Sequence, residues 1–197
     1  MPRPHDPTRR IVMTALASLP LGSSAAGTGR DDEMRQGGSR TLVVYFSRSG
    51  NTRVVAGLIH RSLGTDLFEI RPASPYPDHY LATVEQARQE RDRGIEPALH
   101  ARVPDMARYD TVYLGFPIWG ETAPPVIRSF LTAHDLAGKT LIPFITHGGY
   151  GLGSSQSVLA SHAPAARLEP GFSMEADQER RTMDAVNNWL VGVGARG

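Results

Sequence analysis

The chain has no cysteine among its 197 residues. Disulfides, thiolate metal sites and thiol redox chemistry are therefore excluded, and any redox function must use a bound cofactor. No apolar run approaches the ~20 residues that a membrane-spanning helix needs. Charge of one sign is lacking too, the formal net charge being +1. Neither stable membrane insertion nor a nucleic-acid partner is expected, since the latter draws on a basic surface. No internal repeat is present, and the length fits one domain of ordinary size.

The first 40 residues have too little to bury to belong to that domain. Thr8-Arg9-Arg10 precedes a mildly apolar segment, Ile11 to Leu21, and then Gly-Ser-Ser-Ala-Ala-Gly, in which Ser24-Ala25-Ala26 suits a small-x-small cleavage site. This is signal-peptide anatomy, and the paired arginines resemble the twin-arginine export signal. The expectation is a signal over residues 1–26, a linker over 27–40 and a folded domain over 41–194, with a periplasmic or secreted destination. If the segment is not a signal, for instance with Met34 as initiator, the protein is cytoplasmic. Removal of residues 1–26 takes away Arg3, Arg9, Arg10 and Asp6, leaving 18 basic against 19 acidic residues.

The folded part is organised around Thr41 to Thr52. Thr-Leu-Val-Val-Tyr-Phe is an apolar, β-rich run of the kind buried on both faces of a sheet. Ser47, Arg48, Ser49, Gly50, Asn51 and Thr52 follow, and then Val55, Leu58, Ile59 and Leu63 at helical spacing. Strand, tight polar turn and helix in that order present backbone N–H groups at a helix N-terminus, where an anion is favoured. What the turn lacks narrows the anion. There is no lysine, which a triphosphate loop requires, and no second or third glycine, which a dinucleotide fingerprint requires. Neutral donors of this kind suit a single terminal phosphate.

Further along, Asp66 to Arg71 reads as a second strand. Pro72, Pro75 and Pro77 forbid regular structure until about His79. A helix is expected over His79 to Arg93, with Leu81, Val84 and Ala87 on its packed side and the charges on a solvated face. A loose connection follows to Asp105. The third strand, Thr111 to Phe116, runs into Pro117-Ile118-Trp119-Gly120, and Val126, Ile127, Phe130 and Leu131 give the stripe of the next helix. The fourth strand, Lys139 to Thr146, ends in Thr146-His147-Gly148-Gly149. A short helix near Ser154 to Ser161 follows, and then a fifth strand near Arg167 to Met174, interrupted by Pro170 and Gly171 as an edge strand tolerates. The last helix, about Ala176 to Val193, sets Met183, Val186, Leu190 and Val193 on one face, with Trp189 packing beside it. Strict alternation of this kind demands a parallel sheet covered on both sides, with ligands beyond the carboxyl ends of its strands.

Ser-x-Ser-Gly-Asn-Thr after a first strand resembles the flavin mononucleotide loop of the flavodoxin family. With the two later loops it carries the likeness from Thr41 to about Val193, closest to the bacterial subgroup with a long Pro-Tyr-Pro segment after strand two. The resemblance implies an α/β, flavodoxin-like, doubly wound five-stranded parallel sheet in order 2-1-3-4-5 with helices on both faces, and FMN as cofactor. It implies that the phosphate sits on Ser47 to Thr52, that Pro117, Ile118, Trp119 and Gly120 wall one side of the isoalloxazine ring with Trp119 stacked on it, and that Thr146, His147, Gly148 and Gly149 form the other wall. His147 either donates to the flavin or serves the turn. Many relatives carry a second tryptophan where Gly120 stands, so a more open outer wall is expected.

Two functions follow. One is an electron carrier that docks to a redox partner protein; the other is an NAD(P)H-dependent reductase of quinones or similar small acceptors. Electron-shuttle flavodoxins are strongly acidic and this chain is not, which favours the enzyme. The lack of a recognisable nicotinamide site favours the carrier. A phosphoacceptor domain of similar topology would need an aspartate cluster, and strand one ends in Phe46-Ser47 instead.

Overall fold

The computed structural model describes residues 39–149, 151–175, 186 and 188–193. The expected signal over residues 1–26 and most of the linker lie outside that set. In chain order the elements are β1 (Thr41–Tyr45), α1 (Asn51–Leu63), β2 (Asp66–Glu69), α2 (Tyr80–Asp92), β3 (Thr111–Pro117), α3 (Pro125–Ala133), β4 (Thr140–His147), α4 (Ser155–His162), β5 (Arg167–Leu168) and β6 (Phe172–Glu175). A single 3₁₀ turn, Met106–Arg108, leads into β3. Residues 188–193 are helical.

The sheet runs β2-β1-β3-β4-β5 with every ladder parallel, and β6 continues the edge beside β4. This is the order expected from the alternation and the loops. The expected fifth strand is present in two pieces. β5 pairs with Thr140 and Leu141, β6 with Phe144 to His147, and the ladder skips the positions between. The reason is proline. The Pro143 carbonyl fills the space beside Gly171, and on that side Pro143 has no N–H to offer.

Side-chain alternation in β1, β3 and β4 divides the core in two. Leu42, Val44, Val112, Leu114, Phe116, Leu141 and Ile145 pack on one face against Val126, Ile127 and Phe130 of α3 and Leu159 of α4. Val43, Tyr45, Tyr113, Ile142 and Phe144 pack on the other against Val55, Ala56 and Ile59 of α1 and against Val186 and Leu190. Trp189 lies here as expected, edge-on to Tyr113 at 5.7 Å and tilted against Phe172 at 5.5 Å. Gly115 leaves the room that the Phe144 ring occupies across the β3–β4 ladder. The expected Met183 contact lies outside the described residues.

α2 departs from expectation. Its buried residues are Thr83, Ala87 and Glu90, whereas Leu81 and Val84 are 66% and 46% exposed. The helix is held by polar bonds instead. The Glu90 carboxylate accepts from the Tyr76 hydroxyl and from the Gln86 amide, both at 2.8 Å. The Thr83 hydroxyl donates to the Pro77 carbonyl at 2.6 Å. Periodicity identifies a helix here but misassigns the face, because a helix with charge at Glu85, Arg88, Arg91 and Asp92 has too narrow an apolar stripe to choose one.

Candidate functional site

The three informative loops leave the sheet at the carboxyl ends of β1, β3 and β4. At the first, Gly50 holds φ 100°, a conformation that glycine adopts at least cost. The Ser47 hydroxyl accepts from the Gly50 N–H at 3.1 Å, bending the chain back onto itself. No side chain caps α1, and its first turn carries no acidic residue. The N–H groups that open a helix have no intrahelical partner, so those at the start of α1 are presented to whatever anion occupies the turn. Ser49 is exposed and Asn51 half-buried beside them. This donor set fits a phosphate. Arg48 leans away from the turn, its guanidinium donating to the Asp78 carbonyl at 2.6 Å and lying 5.9 Å from the Tyr80 ring centre.

Thr52, one residue into α1, is buried, and its hydroxyl is 2.8 Å from the Thr146 hydroxyl at the end of β4. The first and third loops are thereby tied. The second and third are tied by the Ile118 N–H, which donates to the Thr146 carbonyl at 2.8 Å. Beyond Ile118 the chain makes a two-residue turn, Gly120 at φ 58° and Glu121 at φ 61°, closed by the Trp119 N–H on the Thr122 carbonyl at 3.0 Å. Consecutive positive φ values are the pattern of a type I′ hairpin turn. A non-glycine residue at such a φ costs of order 1 kcal/mol. Glu121 is held there by its carbonyl, which accepts from the Ser154 N–H at 2.9 Å.

This turn aims Trp119. The indole is half-buried, edge-on to Phe46 at 5.2 Å and to Tyr76 at 4.9 Å. Both rings stand nearly perpendicular to the indole, and Trp119 also lines the cavity described below, where it presents surface to a ligand. Tyr76 is in turn fixed by Glu90, and burial together with that carboxylate holds its phenol well above the usual value. Trp119 is at once a part of the core margin and a wall.

Arg48 and Ser49 from the first loop, Pro117, Ile118, Trp119 and Gly120 from the second and Gly148 from the third line one cavity of about 440 Å³. Ser47 lies on a neighbouring cavity, with Phe46 and Tyr76. Gly50, Asn51, Thr52, Thr146, His147 and Gly149 line neither cavity. His147 is half-buried, and its Nδ1 accepts from the Gly149 N–H at 3.2 Å. In the neutral ring the proton is therefore on Nε2, which remains a donor.

Sequence reasoning missed the fourth wall. Tyr80, Thr83, Val84, Ala87, Arg88 and Arg91 of α2 line the same cavity, where a solvated charged face was expected. The outer wall is also not opened by the glycine at 120. A Cβ placed on Gly120 would collide with Nη1 of Arg91, whose guanidinium takes that space. Three arginines and no carboxylate line the cavity. Glu69, at the carboxyl end of β2, lines the neighbouring cavity and is paired with arginines. Burial opposes its ionisation, but hydrogen bonds from Arg53 and Arg71 prevail and hold its carboxyl below the usual range. Among the described residues no cluster of histidine and carboxylate side chains could hold a metal ion.

A family model described as flavodoxin matches residues 40–193. Among solved structures, a Bacteroides eggerthii protein assigned as a flavoprotein is 32% identical, with a TM-score of 0.67 over 78% of this chain and 97% of its own. A second such protein, from Bacteroides uniformis, is 30% identical, with a TM-score of 0.62 over 76% of this chain and 99% of its own. A flavoprotein of Lactobacillus acidophilus, solved in complex with FMN, shares the fold at 20% identity and a TM-score of 0.61, over 68% of this chain and 91% of its own. Comparison with the curated proteins finds no match.

Proposed function

The chain belongs to the flavodoxin family, and from that premise we propose that it binds flavin mononucleotide without a covalent bond and transfers electrons through it. The observation that carries this reading is the meeting of a lysine-free phosphate turn, the Trp119 wall and the Gly148 turn on one cavity. The FMN complex of the Lactobacillus acidophilus relative supports the choice of cofactor. The helix start at Asn51 to Arg53 would hold the phosphate, Trp119 would cover one face of the ring, and the Gly148-Gly149 turn would approach its edge with backbone groups. A bound flavin supplies one- and two-electron chemistry. The residues of this chain hold and orient it, and Trp119 excludes water from the side that it walls. Heat release of the cofactor from purified yellow protein, identified by chromatography, should give FMN alone; the adenine dinucleotide alone, or nothing after reconstitution, refutes the reading.

A second reading is an NAD(P)H-dependent reductase of quinones or similar small acceptors. It is favoured by the cavity lining, in which Tyr80, Val84 and three arginines stand where a carrier with an acidic docking face would place carboxylates. Steady-state oxidation of both nicotinamides by holoprotein, with and without a quinone, separates the two: turnover identifies the enzyme, and its absence the carrier. We also propose that Arg9-Arg10 directs the folded, flavin-loaded protein out of the cytoplasm. Replacing the pair by Lys-Lys should then retain uncleaved yellow protein inside.

A further inference from the structure

The contact between Arg91 and Gly120 sets what kind of charge the cavity favours. α2 passes over the second loop so that the Arg91 guanidinium is seated where a side chain at position 120 would otherwise stand. Its orientation is fixed from behind. Nε and Nη2 face the Asp92 carboxylate at 3.3 and 3.2 Å, which leaves Nη1 as the nitrogen turned to Gly120. Among the described residues no acceptor takes the Nη1 hydrogens. Arg88, one turn earlier, is by contrast saturated by Glu85 and Asp92. α2 is itself anchored by the buried Glu90, through Tyr76 and Gln86. The clasp thus sets where α2 lies over the second loop, and the Asp92 pair sets how the Arg91 guanidinium is turned. Asp92 offsets part of the charge, but that carboxylate is 48% exposed and the Arg91 side chain 31%. Water screens the outer partner more than the inner nitrogen.

We propose that Arg91 is an electrostatic wall of the flavin site, taking the place of a side chain on residue 120 and stabilising the negative charge that reduction places on the bound ring. The inference rests on the FMN reading above. Two electrons and one proton added to a neutral ring leave one negative charge. A cation turned into the cavity favours that state over the oxidised one, because an opposite charge close by stabilises the charged form. Gly120 is the complementary half of the arrangement: its φ of 58° favours glycine, and without a Cβ there the guanidinium takes the space unhindered.

The test is potentiometric titration of reconstituted holoprotein in four variants, Arg91→Gln, Arg91→Lys, Gly120→Ala and the double substitution Arg91→Gln with Gly120→Ala, with FMN binding and circular dichroism measured alongside. Arg91→Gln should reduce the preference for reduced over oxidised flavin by about tenfold, which for a two-electron couple is a shift of about 30 mV to more negative potential. Gly120→Ala should shift it in the same direction by displacing the guanidinium. The double variant should match Arg91→Gln alone, since both act on one contact. Arg91→Lys should recover part of the shift, as a charge effect requires. FMN bound normally with an unmoved potential in Arg91→Gln, or shifts that add in the double variant, overturns this inference and leaves the FMN reading standing. A wild-type protein that binds no FMN overturns both.

Discussion

Replacing Trp119 by alanine separates the two roles that its surroundings give it. The indole loses two edge-to-face contacts, with Phe46 and Tyr76 at 5.2 and 4.9 Å. Such pairs contribute ~0.5–1.5 kcal/mol each beyond area burial. A fully buried Trp→Ala change costs ~3–5 kcal/mol, and Trp119 is only half-buried, so the apoprotein should lose about 2–3 kcal/mol. The ligand-facing role is separate. One stacked face is worth about 1 kcal/mol, which at about 1.4 kcal/mol per decade is a fivefold weaker FMN affinity. Urea unfolding of the apoprotein measures the first quantity and quenching of flavin fluorescence the second. Trp119→Phe should restore most of the affinity and about half of the stability, since it keeps a ring but shortens its reach toward Tyr76. If Trp119→Ala leaves affinity and quenching unchanged while stability falls, the indole is packing alone and the ring of the flavin lies elsewhere. If apoprotein stability is unchanged, the aromatic cluster has been misread.

Three further outcomes follow from contacts around the site. Thr52→Val leaves the buried Thr146 hydroxyl without its 2.8 Å partner and should cost about 1–3 kcal/mol in urea, most of which Thr146→Val in the same chain should recover; full additivity would contradict a direct bond. Gly115→Ala places a methyl inside the Phe144 ring, so melting should show a loss of about 1–3 kcal/mol from overpacking, relieved by Phe144→Leu. His134 accepts from the Val103 N–H at Nε2 and donates to the Phe130 carbonyl from Nδ1, and burial, with Arg102 nearby, holds its pKa below the ordinary value against the pull of that carbonyl. Its neutral form belongs to the fold, so this contribution is complete above the unfolded value of ~6.5 and is lost as pH falls through the lower folded value; the urea midpoint should drop from pH 8 to pH 5 more steeply in the wild type than in His134→Asn, and equal slopes would refute it.

The sheet order and the positions of the three loops were legible because each rests on local signals: a short apolar run, a turn containing glycine or proline after it, and then a helical stripe. The break at Pro170-Gly171 was legible for the same reason, although the matching break in the ladder at Pro143 was not. What the sequence concealed was α2. Leu81 and Val84 carry the apolar signal and face outward, while Thr83 and Glu90 are buried. The partner that makes burial of Glu90 tolerable, Tyr76, lies 14 residues away across a proline-rich stretch, and no periodicity reports a pairing of that kind. The same gap hid Arg91. Its neighbour at Gly120 is a glycine whose purpose is visible only once the guanidinium is seen beside it.

The polar clasp of α2 has a kinetic consequence. A helix that buries only Thr83, Ala87 and Glu90 has little hydrophobic surface to lose when it lifts, so its opening should require far less free energy than global unfolding. The β1, β3 and β4 strands, buried on both faces, would remain intact during such an excursion. Because α2 forms one wall of the cavity, that excursion is a doorway: a ligand could enter and leave on the timescale of one helix detaching, while the sheet that positions the three loops keeps its register. Amide exchange in α2 should accordingly be fast and denaturant-independent, and slowed when the cavity is filled.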